Sequence, residues 1–295
     1  MPQQRSALSE GSLWPLSYAL LVASLGMIFG YDLGSIFISV DHGTEFLILA
    51  ETKSDILVGT YILGFIIGVF VSGYVTYGSG RKITIVASVT VGALAALASL
   101  VAPNFSVLLS SELAIGFSFG LYFLAAALYI SEVTLPSYRP FAFALLPTAA
   151  CAGAMSALLS LIDIDELPLI VFSTLLTCTI VGISFVLVKI PESPRYLALS
   201  GSSDAALAVL FKLRHDMGVA ARELAEINEC CRGETRGFEF FLQNTTYRRL
   251  IFFLCLITFM CNGAGVTVIP SLLLGNMTVV IISADPDPSY SLNNN

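Results

Sequence analysis

The sequence predicts an all-α protein that crosses a membrane several times. Three observations lead there. Hydrophobic residues make up 56% of the 295-residue chain and charged ones only 12%, against about 25% charged in a soluble domain. The mean hydropathy is +0.85. The apolar residues fall in blocks of roughly 20, the length a helix needs to cross about 30 Å of hydrocarbon.

The blocks place seven spans, at 14–39, 56–77, 83–102, 106–131, 141–162, 167–189 and 250–274. Residues 1–13 form a short polar N-terminus. The first apolar run is too long for the core of a cleaved signal, so it is expected to stay as a span. Residues 14–189 are then a six-helix bundle with short connections. Residues 190–249 are polar and charged. Within them Ser203 to Arg214 opens on a Ser-Asp cap signal and alternates apolar and polar faces, and Val219 to Arg232 repeats the pattern. Both are expected to be amphipathic helices on one membrane face. After the seventh helix at 250–274, the tail 275–295 is expected to be disordered.

Lys and Arg set the orientation. With the N-terminus in the cytoplasm, 13 of the 14 basic residues lie inside and only Lys53 lies outside. The outer loops then hold Asp41, Glu45, Glu51, Asp55, Asp163, Asp165 and Glu166. Loop 190–249 is therefore cytoplasmic, and the plasma membrane is the expected location. Three N-glycosylation triplets start at Asn104, Asn244 and Asn276. The first is too close to the bilayer, the second lies inside, and all carry little weight.

Two acids fall within the apolar lengths. Asp32 lies in FGYDLGS of the first span and Glu112 in SSELAIG of the fourth. Both sit about 10 Å below the outer surface, at ~1.5 Å per residue. An ionisable group at that depth costs several kcal/mol unless paired, hydrated or protonated. If the helices are neighbours the two acids face one cavity, a candidate proton-coupling device. The plainer reading has Asp32 capping a helix break at Gly30 and Gly34, and Glu112 snorkelling to the interface.

Gly64 and Gly68 in the second span, and Gly116 and Gly120 in the fourth, have the spacing that lets helices approach closely. On the cytoplasmic side Gly80-Arg81-Lys82 makes a basic turn. Glu132 and Arg139 flank the loop after the fourth span, and PESPRYL (Pro191 to Leu197) follows the sixth. Arg81, Glu132, Arg139, Glu192 and Arg195 are expected to form a charged cluster that opens and closes as a gate, or else only to set topology. Cys151, Cys178, Cys255 and Cys261 lie in apolar spans, while Cys230 and Cys231 are adjacent in the polar loop. This is neither a disulfide framework nor a metal spacing. No hydrolase, nucleotide-binding or metal motif stands out, no cofactor is expected, and no basic stripe suits nucleic acid. His42 and His215 fall in opposite aqueous compartments.

Taken together, FGYDLGS, GSGRKI (Gly78 to Ile83), YISEVTLPSYR (Tyr129 to Arg139) and PESPRYL followed by Gly201 resemble the sugar-porter family of the major facilitator superfamily. The four occur in the right order over about residues 14–274. The resemblance implies an all-α multi-pass fold, the N-terminal six-helix half of a major facilitator bundle plus a seventh helix. It implies alternating access of a small polar solute around a central site, with protons as a coupling partner. It also implies that a second half, carrying much of the solute site, lies outside this sequence or on another chain.

Departures from the family pattern sharpen the picture. Asp32 stands where proton-coupled members place a proton-accepting Asp. Glu112 occupies the place of the Arg that usually pairs with it. Tyr77 and Gly78 replace the customary Asp and Arg, Leu135 stands where a Pro is expected, and Pro140 where a Gly follows the Arg. Pro147 and Ala154 stand where many members carry sugar-binding Gln, and Met260 and Gly265 stand near the usual Gln and Asn. A sugar hydroxyl left without its partner costs ~1–3 kcal/mol, so a typical hexose site is not expected and no substrate-binding residue is assigned. Two functions stay open: a carrier, and a non-transporting relative that keeps the fold.

Overall fold

The computed structural model describes residues 13–41, 51–159 and 190–232, with isolated positions between 245 and 256. Residues Met1–Arg232 form one compact unit and Gly233–Asn295 another; the account here concerns the first. Among the described residues it is built of helices, with no strand.

The first span is two helices, α1 (Leu13–Ser24) and α2 (Gly26–Asp41). The joint is at Leu25, not at Gly30 or Gly34. There the hydrogen bonds tighten to the three-residue pattern, Leu25 N donating to Val22 O and Ile28 N to Leu25 O, both at 3.2 Å. Ser24 Oγ donates to Leu21 O at 2.9 Å and competes for a carbonyl at the same turn. Gly30 and Gly34 lie inside α2 and serve packing instead. A Cβ on Gly30 would overlap the Ala150 carbonyl, and one on Gly34 would sit 2.9 Å from the Ala157 Cβ.

Next come α3 (Glu51–Ser79) and α4 (Arg81–Leu100), joined at Gly80. Then follow α5 (Phe105–Val133) and α6 (Arg139–Leu159). The Asn104 side chain starts α5 by accepting from Val107 N at 3.0 Å. α5 is the central helix, packed along α3 and α4, while α6 packs along α2. The α3–α5 contact uses the paired glycines. A Cβ on Gly64 or Gly68 would strike the Leu113 or Phe117 carbonyl, and one on Gly116 or Gly120 the Tyr61 or Phe65 carbonyl. Sequence spacing predicts this close approach. Gly153 does the same for α6 against Met27. Tyr122, Tyr129, Phe29, Ile85 and Ile130 fill the core between these helices. Outward, α3 presents Ile62, Leu63, Ile66, Ile67, Phe70 and Tyr74, all exposed. An apolar face of that extent suits lipid rather than water.

The loop after residue 190 forms α7 (Pro194–Leu199), α8 (Ser203–Arg214) and α9 (Met217–Arg232). α9 begins two residues before the expected Val219 because Asp216 Oδ1 accepts from the amides of Gly218 (2.7 Å) and Val219 (3.1 Å). Arg214 pairs with Glu223 at 2.8 and 2.9 Å and also donates to Val133 O at 3.2 Å, tying α8 and α9 to the end of α5. The expected spans at 167–189 and, apart from isolated positions, 250–274, and the tail 275–295, lie outside the described residues.

Candidate functional site

Two clusters of polar side chains stand out, one at membrane depth and one at the end of the bundle where α3 turns into α4. At the turn, Gly80 adopts φ +97° and ψ 164°, a region open in practice to glycine alone. A Cβ there would also come within 2.7 Å of Glu192 Oε2 and 2.9 Å of Tyr196 Cε1. The turn frees the amides that begin α4. Glu192 Oε1 takes those of Arg81 (3.1 Å) and Lys82 (3.0 Å), along with the amide of Ser193 (3.0 Å). A carboxylate at a helix N-terminus satisfies orphan donors and meets the positive end of the helix dipole.

The Arg81 guanidinium lies across to α5. Nε donates to Glu132 Oε2 at 2.8 Å and Nη2 to Oε1 at 2.7 Å, a two-pronged ion pair. Its side chains are 9% and 7% exposed, so the pair is nearly dry. Ser193 Oγ donates to Glu132 Oε2 at 2.5 Å and accepts from Tyr196 N at 3.3 Å. Tyr196 OH donates to Gly78 O at 3.0 Å, its ring 5.4 Å from the Arg81 guanidinium carbon. Tyr129 OH donates to Pro191 O at 3.1 Å. One network thus closes over α3, α4, α5 and the loop entering α7.

Of the five residues expected here, Arg81, Glu132 and Glu192 come together. Arg139 does not join them; its Nε donates to Thr134 O at 3.3 Å, closing the turn between α5 and α6. Arg195 lies in the first turn of α7. Sequence reasoning counted charges and so missed Ser193, Tyr196 and Tyr129, whose neutral hydroxyls complete the network. Two of them lie within PESPRYL, and Tyr129 opens YISEV.

At membrane depth the structure brings Asp32 of α2 and Glu112 of α5 within electrostatic reach of each other. Tyr61 of α3 lies within electrostatic reach of both acids. Sequence reasoning missed Tyr61 because a tyrosine within an apolar run reads as packing. Glu112 is 8% exposed and Tyr61 3%, so Glu112 does not snorkel to an interface. Among the described residues, neither Glu112 Oε2 nor Tyr61 OH has a hydrogen-bond partner. Tyr61 packs in an apolar cluster with Ala95 and Ile115, bordered by Leu33, Val58, Ala114 and Phe119. Phe119 stacks on Phe29 at 5.0 Å and approaches Tyr61 at 6.5 Å.

An apolar outer face, glycine-packed spans, and acids held at depth above a charged network define a multi-pass helical membrane protein. Residues 18–273 match the family described as "Sugar (and other) transporter". The chain belongs to that family of transporters. It is 27% identical to the galactose-proton symporter of Escherichia coli K12, over 91% of this chain and 58% of that protein. It is 26% identical to the arabinose-proton symporter of the same strain, over 85% and 53%. With the probable polyol transporter 4 of Arabidopsis thaliana the identity is 28%, over 76% and 43%. The chain therefore spans about half the length of the curated relatives it matches. A solved proton:xylose symporter of the major facilitator superfamily shares the fold, with a TM-score of 0.63 at 18% identity, over 75% of this chain and 54% of that one.

Proposed function

We propose that this chain forms part of a secondary carrier that moves a small polar solute, a sugar or a related compound, by alternating access coupled to protons. The observation that carries the reading is the pair of acids, Asp32 and Glu112, held at membrane depth on two packed helices beside the apolar core. Ionisable groups are kept at such depth when they serve ions or substrates. The sugar-proton symporters among the relatives supply the solute class and the coupling ion.

In this reading the N-terminus is cytoplasmic and the protein sits in the plasma membrane. The Arg81–Glu132–Glu192 network, with Arg139 and Arg195 nearby in sequence, is one side of the cytoplasmic gate. Its opposing side, and much of the solute site, come from a six-helix counterpart on this polypeptide or on a second chain. The residues 14–189, 190–249 and 250–274 act as bundle, gate-side loop and first helix of that counterpart.

A second reading is a non-transporting relative that retains the fold. It is favoured by the fifth span, where Ala154 stands in place of a sugar-binding Gln and its backbone is taken up in packing against Gly34. The experiment that separates the two is uptake of radiolabelled galactose, arabinose, xylose and a polyol into proteoliposomes, with and without a pH gradient, beside Asp32→Asn. Gradient-dependent uptake lost in the variant supports the carrier. Absence of uptake by inserted, folded protein, with and without the counterpart, supports the second reading.

A further inference from the structure

The first span and α6 are each interrupted, and the two interruptions lie against each other. In the first span the joint is Leu25. In α6 it is Pro147, inside the helix, which offers Phe143 O no amide and pushes its ring toward that carbonyl. A Cβ on Gly26, the first residue past the joint, would sit 3.3 Å from the carbonyl of Leu146, the residue before Pro147. Beside each interruption a hydroxyl draws on a carbonyl of the preceding turn: Ser24 Oγ donates to Leu21 O at 2.9 Å and Thr148 Oγ1 to Ala144 O at 2.6 Å. Such bonds bend helices. Past both interruptions the two helices lock backbone to backbone, Gly30 on Ala150 and Gly153 on Met27. α2 and the part of α6 after Pro147 are thus built as one body, with Asp32 on it.

Tyr122 of α5 straddles the joint. Its hydroxyl donates to Val22 O at 2.7 Å, on the α1 side, and lies 3.4 Å from Ala23 O. A Cβ on Gly26 would sit 3.4 Å from the same oxygen. The hydroxyl is therefore placed at the step where an uninterrupted helix bonds Gly26 N to Val22 O, and a side chain inserted there breaks a helix. Its ring stacks on Phe29 at 5.1 Å, on the α2 side, three residues before Asp32. The whole residue is buried.

We propose that Leu25 and Pro147 form one hinge and that Tyr122 is its positioning residue: the Tyr122–Val22 bond pins the hinge, and its release lets α2, carrying Asp32, tilt together with the part of α6 after Pro147. The proposal rests on the carrier reading above and names the movement that presents the acid during transport. Hinges absorb such motion at a few positions while the flanking segments stay rigid.

The test compares the full chain with Tyr122→Phe, which keeps the stacked ring, and Pro147→Ala, which restores the missing amide. Hydrogen exchange is followed in nanodiscs and solute uptake in proteoliposomes under a pH gradient. In Tyr122→Phe the amides of residues 22–28 should exchange about fivefold faster, as for loss of one hydrogen bond. In Pro147→Ala the same amides, on the other helix, should exchange about threefold slower. Exchange along α3 and α5 should be unchanged in both, which shows that the fold is kept. Turnover at saturating solute should move about threefold in opposite directions in the two variants, with KM within about twofold. Unchanged exchange at residues 22–28 in either variant overturns the proposal, whatever uptake does. Exchange that shifts as expected while all three proteins transport alike overturns the positioning role and leaves the carrier standing. Shifted exchange with no uptake even by the unaltered chain keeps the hinge and counts against the carrier.

Discussion

The two polar clusters of this bundle are built on opposite plans. At the α3–α4 turn the buried charges have fitted answers: Arg81 meets Glu132 with two bonds, Glu192 takes three amides, and Ser193 and Tyr196 fill the gaps. At membrane depth, Glu112 Oε2 and Tyr61 OH have no hydrogen-bond partner among the described residues. The contrast separates two uses of buried polarity. A satisfied network holds segments together and breaks as a unit. An unsatisfied group adds no hydrogen bond to the resting fold. Damage to the first cluster should therefore appear as lost stability, and damage to the second as lost function.

The largest effect should come from the dry ion pair. Arg81→Ala leaves Glu132 as a buried charge facing the Ser193 hydroxyl, and breaking such a pair costs about 3–5 kcal/mol. Thermal unfolding in detergent should show a large drop in melting temperature for Arg81→Ala and for Glu132→Ala. In the double variant the loss should be clearly smaller than the sum. An additive double variant would mean that the two side chains do not act as a pair.

The turn itself ranks next. Gly80→Ala forces a side chain into a backbone region that costs about 1–3 kcal/mol. It also drives a methyl against Glu192 and Tyr196. Limited proteolysis should find the loop around residue 192 cut faster in this variant, because Glu192 is displaced from the amides of α4. Gly201→Ala is the control. Gly201 also has positive φ, but a Cβ there meets nothing, so it should cost less and leave the loop around residue 192 protected.

These expectations show what the sequence made readable. The positions of the first five spans follow from hydropathy, and the glycine pairs of α3 and α5 follow from spacing, because both properties are local. The charges at the turn were visible for the same reason. Their partners were not: Glu192 serves amides rather than a guanidinium, and Arg139 serves a carbonyl, choices set by where helices begin and end in space. The joint at Leu25 was hidden because nothing in its composition marks a break, while Gly30 and Gly34, which suggested one, are occupied by the approach of α6. Tyr61 was hidden because only the meeting of α2, α3 and α5 gives its hydroxyl a meaning.

The acids at depth should invert the pattern seen at the turn. Of Asp32→Asn and Glu112→Gln, the second alters a carboxylate whose Oε2 has no partner among the described residues, so it should not lower the melting temperature. Uptake should fall sharply in both. A melting temperature that falls as far as in Arg81→Ala would erase the distinction between the clusters and make the acids structural.

The smallest change is the most discriminating. Tyr61→Phe deletes one oxygen and keeps the ring that packs with Ala95, Ile115 and Phe119. If that hydroxyl were tied into the fold, its loss would cost about 0.5–1.5 kcal/mol, as for an ordinary hydrogen bond. Since it has no hydrogen-bond partner among the described residues, the variant should be as stable as the parent or slightly more so, by up to about 1 kcal/mol, because an open polar atom no longer has to be buried. Denaturation in a graded detergent series resolves that sign. A destabilised Phe variant would place a bonding partner at Tyr61 in the resting protein and would bring the deep site under the same plan as the turn. A stable Phe variant that nonetheless loses solute uptake would leave a single role for the hydroxyl, that of a group used only during transport.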